Sequence, residues 1–72
     1  MSVSPERLDE IQAKIDAAAE DLADLALDLL HQALSDADPK ASPAARDEKL
    51  VTRARRSLDK ASGLLRGLET SA

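Results

Sequence analysis

Ser35-Asp36-Ala37-Asp38-Pro39-Lys40-Ala41-Ser42-Pro43 is the one stretch of this chain that reads as a loop. Pro39 pushes Asp38 out of helical geometry, and the short polar side chains offer the backbone turn hydrogen bonds. Ser42-Pro43 then repeats a signature already present at Ser4-Pro5-Glu6: a serine N-cap with proline in the first helical position. Neither Gly nor Pro interrupts Glu6 through Ala37. The spacing therefore predicts a first helix over about 5–36, a loop over about 36–42 and a second helix over about 43–68, in a single domain spanning 1–72. Two long helices joined by a short connection form an antiparallel hairpin. The expected fold class is all-α.

The apolar pattern supports that division. Leu8, Ile11, Ile15, Ala18, Leu22, Leu25 and Leu29 follow alternating steps of three and four, which is a heptad seam of the coiled-coil type. In the second helix the seam reads Val51, Ala54, Leu58, Ala61, Leu65 and Leu68, widened by Leu50 and Leu64. Gly63 sits inside this pattern at a cost near 1 kcal/mol relative to Ala. Gly67 is expected to mark fraying, with the last four residues disordered.

The first helix changes character halfway. From Leu22 to Leu34 nine of thirteen residues are apolar, enough for two stripes where a single neighbouring helix covers one. The second stripe is Ala23, Leu27, Leu30 and Leu34. Left in water it would be a contiguous leucine patch of a kind soluble monomers seldom carry. These four residues are the expected protein interface. The simplest closed solution is a two-fold homodimer that forms a four-helix bundle.

Composition removes many other functions. The 72 residues contain no Phe, Trp, Tyr or Cys, so base-stacking platforms, thiolate nucleophiles and Cys-ligated zinc are all absent. No apolar run approaches the roughly 20 residues needed to span a bilayer, so no membrane partner is expected. The N-terminus shows neither a basic segment nor an apolar one of the secretory type, which makes the cytoplasm the default location. Abundant Ala, Asp, Leu and Arg without any Asn suggests a GC-rich bacterial source. Charge is divided along the chain: ten acids against two bases in residues 1–38, and eight bases against four acids in 39–72. An acidic helix beside a basic one favours the hairpin and steers partner choice more than it adds stability.

Arg46, Lys49, Arg53, Arg56 and Lys60 recur at steps of three and four and form a cationic row on the second helix, a candidate polyanion contact. No aromatic residue interleaves, and the net charge is −4. A solvated outer face is the simpler account, and nucleic acid ranks last among the partners. Asp28 and His31 have the carboxylate-x-x-His spacing of di-iron bundles, but the second helix offers few inward carboxylates to complete a site. No metal and no cofactor are expected. Ser57 and Ser62 have no general base in register, and there is one His in the chain, so no catalytic residue is assigned.

The stretch Leu8-Asp9-Glu10-Ile11-Gln12-Ala13-Lys14-Ile15-Asp16, followed by Leu22 and Leu25, resembles the first helix of helical chorismate mutases. Gln12 and Leu29 stand where that family carries its arginines, so the likeness brings no activity with it. The expectation is a non-enzymatic helical interaction or adaptor protein that self-associates. The alternative is a small regulatory inhibitor, antitoxin-like or anti-sigma-like, whose leucine stripe is covered by another protein.

Overall fold

A computed structural model of the chain describes residues 3–70, with side chains as far as Leu68. It is a helical hairpin. Helix α1 spans Pro5–Ser35, a short 3-10 turn spans Pro39–Ala41, and helix α2 spans Pro43–Thr70. The two helices pack against each other in a rod with extents of 55 × 15 × 12 Å.

Each helix begins where its capping chemistry predicts. The Ser4 hydroxyl accepts the Arg7 N–H at 3.4 Å, and the Ser4 carbonyl accepts the Leu8 N–H at 3.0 Å. The same hydroxyl donates to Glu6 Oε2 at 2.9 Å. A backbone N–H of the first turn, with this hydroxyl second, holds the Glu6 carboxyl below the ordinary carboxylate range. At the other end, Asp36 leaves the helix in extended geometry while its N–H reaches the Ala33 carbonyl at 3.2 Å.

The loop is tied by one side chain. The buried Ser42 hydroxyl accepts the Ala44 N–H at 3.1 Å, which caps α2, and donates to the Asp36 carboxylate that ends α1. The stop of one helix and the start of the next are thus joined directly. Among the described residues none has positive φ, so the reversal needs no glycine.

The second helix runs to Thr70, past the point where Gly67 was expected to fray it. The helical ladder of a 28-residue helix outweighs the propensity cost of one glycine. Ser71 and Ala72, part of the expected disordered tail, lie outside the described residues.

The packing seam differs from the expected one. In α1 the residues withdrawn from solvent are Leu8, Gln12, Ile15, Ala19, Leu22, Ala23, Ala26, Leu29 and Ala33. Four of the seven predicted seam residues are retained (Leu8, Ile15, Leu22, Leu29), but the other three, Ile11, Ala18 and Leu25, lie exposed. The helix has turned by one position, so that Gln12, Ala19, Ala26 and Ala33 face α2 instead. In α2 the residues withdrawn from solvent are Ala44, Ala45, Glu48, Val51, Thr52, Leu58, Ala61, Ser62 and Leu65; Val51, Leu58, Ala61 and Leu65 of the expected seam are retained, while Ala54 and Leu68, with Leu50 and Leu64, lie exposed. The physical reason is size. Alanines and Ser62, which pairs with Gln12, take less room between two backbones than leucines in every seam position would.

That choice leaves little core. Leu8, Ala33 and Ala44 are the buried apolar residues, and no large side chain is fully enclosed among the described residues. The accessible surface is 5649 Å². A folded monomer of 7.7 kDa is expected to expose about 4,300 Å².

Candidate interaction surfaces

Two apolar surfaces follow from the turned seam. A groove on one side of the hairpin is lined by Asp16, Ala19, Glu20 and Ala23 of α1 with Arg55 and Asp59 of α2. It marks which edges of the two helices lie together. At about 100° per residue, Leu27, Leu30 and Leu34 continue the α1 edge of that side, and Thr52 and Arg66 continue its α2 edge. The remaining edges meet on the opposite side: Ile11, Ala18 and Leu25 from α1, and Leu50, Ala54, Ala61, Leu64 and Leu68 from α2.

The second of these sides is a continuous apolar face built from both helices. Ile11 is 36% exposed, Leu25 45%, Leu50 59%, Leu64 69% and Leu68 43%. The order along the rod is large, small, large: Leu25 and Leu50 near the loop, Ala18, Ala54 and Ala61 in the middle, Ile11 and Leu64 towards the open end. Gln32 and Asp47, both exposed, close the face at the loop. Sequence reasoning missed this face because it placed Ile11 and Leu25 inside the hairpin. The readable signal was the run of small residues at Ala19, Ala26 and Ala33, four positions after Ile15, Leu22 and Leu29.

The stripe expected from sequence is on the groove side. Leu27, Leu30 and Leu34 stand out in solvent, and Ala23 is half-buried in the wall of the groove. It is an apolar strip contributed by one helix.

The cationic row behaves as an outer face. Arg46, Lys49, Arg53, Arg56 and Lys60 are all exposed, on the side of α2 turned away from α1. Lys49, Arg53 and Arg56 share a shallow depression with Glu48 and Thr52, where the Thr52 hydroxyl donates to Glu48 Oε1 at 2.7 Å.

Inside the hairpin one polar pair crosses the seam near the open end. Gln12 Nε2 donates to the Ser62 carbonyl at 3.3 Å, and the Ser62 hydroxyl donates to Gln12 Oε1 at 2.7 Å. Each side chain thereby satisfies the other, and no buried side-chain polar atom lacks a partner among the described residues. The pair fixes the register of the two helices.

His31 is exposed, and Ser35 Oγ donates to its backbone carbonyl at 3.1 Å. Among the described residues no three His, Cys, Asp or Glu side chains gather as metal ligands would. Nor is any helix long and apolar enough to cross a membrane. Comparison with protein-family models, with curated proteins and with solved structures finds no match to this chain.

Proposed function

We propose that this hairpin is a non-enzymatic interaction module that self-associates as a homodimer and presents leucine surfaces to other helices. One observation carries the reading: the leucines that should form a core are on the outside. Among the described residues nine large apolar side chains are exposed, against one, Leu8, that is buried. An isolated hairpin of this kind gains little from the hydrophobic effect, so association and stability are linked.

Sedimentation equilibrium combined with circular dichroism over a hundredfold concentration range tests this. The expected result is a dimer whose helicity and melting temperature rise with concentration. A monomer that stays helical and melts at one temperature throughout would defeat self-association. A poorly helical monomer rescued by a second protein would favour the inhibitor reading, in which a partner of different sequence covers the leucines.

A further inference from the structure

The two-helix face has a centre about which it repeats itself. In α1 Ile11 and Leu25 stand seven residues to either side of Ala18. In α2 Leu50 and Leu64 stand seven residues to either side of Ser57, with Ala54 and Ala61 between. Counting from the Gln12–Ser62 pair, Ala18 is level with residue 56, so the two centres agree along the rod to within one residue, about 1.5 Å.

The charges beside the α1 strip obey the same symmetry. Next to Ile11, Ala18 and Leu25, on their side away from α2, stand Arg7, Lys14, Asp21 and Asp28, seven residues apart and all exposed. Their signs run plus, plus, minus, minus, and the change falls between Lys14 and Asp21, at the level of Ala18. Arg7 and Lys14 are the two bases of the first 38 residues, and both belong to this row. The acids Asp9, Glu10, Asp16, Glu20 and Asp24 fall on the other sides of α1. An acidic helix therefore carries one neutral, self-complementary edge, and that edge borders the apolar face.

We propose that this face receives the same face of a second copy about a two-fold axis perpendicular to the rod at the level of Ala18, each helix lying antiparallel to its own counterpart. The proposal rests on the self-association reading and gives it a face, an axis and a register. Arg7 meets Asp28 of the second copy and Lys14 meets Asp21 of the second copy, each twice by symmetry. Ile11 packs on Leu25 of the second copy and Leu50 on Leu64, while the two Ala18 residues face each other across the axis. A two-fold axis parallel to the rod would instead lay the four charges along the Leu50, Ser57 and Leu64 edge of α2, which offers them no partner. Arg46, Arg53 and Lys60 point away from α1 and take no part.

The chain has no cysteine, so single-cysteine variants read the axis directly. Ala18→Cys, at an exposed position, should give mostly disulfide-linked dimer under oxidised glutathione, because its Cα and that of its counterpart come within the roughly 4.4–6.8 Å that a disulfide spans. Ile11→Cys and Leu25→Cys should each stay largely unlinked alone, their own counterparts lying about 21 Å away along the rod, and should link to each other when mixed. Leu27→Cys on the loop-end stripe should stay largely unlinked. Non-reducing electrophoresis scores the four, beside sedimentation equilibrium of the wild type. A dimeric wild type in which Leu27→Cys links and Ala18→Cys does not would overturn the face and leave self-association standing. A dimer in which Ala18→Cys stays unlinked, or in which the mixed pair fails, would overturn the axis. A monomeric wild type removes self-association and this arrangement with it. Lys14→Glu should raise the dimer Kd about fivefold through two like-charged pairs, and adding Asp21→Lys should restore it. If the added change weakens the dimer further, the charge register is wrong.

Discussion

The two apolar surfaces of the hairpin are both made of leucine and differ in what surrounds it. The wide face draws on both helices and runs most of the rod. The loop-end stripe belongs to α1 alone, and the α2 residues at its level include the half-buried Ala45 and Glu48. A wide apolar surface built from two helices can be matched by itself. A strip from one helix is better matched by a single foreign helix laid along it. Exposure by itself therefore says little about the role of a leucine, since Leu27 at 52% and Leu50 at 59% are alike in this respect.

Truncation is the strongest way to break the comparison. Leu25→Ala, Leu50→Ala and Leu64→Ala together should destabilise the associated protein severely, at about 2–5 kcal/mol for each site that becomes buried. Leu27→Ala, Leu30→Ala and Leu34→Ala together should cost about 0.5 kcal/mol or less per site, as exposed positions do. Urea denaturation of both triple variants at one protein concentration measures the difference. Equal losses would mean that the two surfaces are covered alike.

A smaller effect tests the turn of α1 that creates the wide face. Gln12→Leu alone leaves the Ser62 hydroxyl without its acceptor and should cost about 1–3 kcal/mol. Adding Ser62→Ala should recover most of that loss, because both polar groups are then gone. If the single and double variants melt together, the pair does not hold the register.

The smallest effect is a control that lies on neither surface. Glu6 has a folded pKa below its unfolded value, so its stabilisation is present above the unfolded pKa and is lost as pH falls through the folded one. Glu6→Gln should flatten that acid-side dependence of the melting temperature. The flattening should be the same size in both leucine triples; a difference would mean that the start of α1 takes part in one of the surfaces.

The hairpin was legible from a few residues. Pro39, Pro43 and Ser42 mark the reversal, and steps of three and four mark two helices. Their phase was not legible, because Ile11 and Gln12 are adjacent and either can face inward when the next seam position is an alanine. Hydrophobicity favours Ile11, while close backbone approach favours Gln12 with Ala19 and Ala26 behind it. The sequence shows the first preference directly, whereas the second depends on Ser62, fifty residues away, supplying a partner. The stripe at Leu27, Leu30 and Leu34 was readable because no neighbour in a hairpin can reach it. The wide face required knowing which edges of two helices fall on one side.

The Gln12–Ser62 pair also sets the order in which the chain closes. The cap at Ser42 joins residues six apart, so the reversal forms at small loop-closure entropy and offers both helices a common starting point. From there each further level of the seam closes a longer loop, and the glutamine–serine pair near the free ends closes among the last. Local contacts formed in this zipper order suit folding on the microsecond to millisecond scale, so in the proposed dimer a slow and concentration-dependent phase would report the encounter of two chains. Opening runs in reverse, from the free ends towards the loop. Amide exchange should therefore be fastest around Leu8 and Leu65 and slowest beside Ala33 and Ala44.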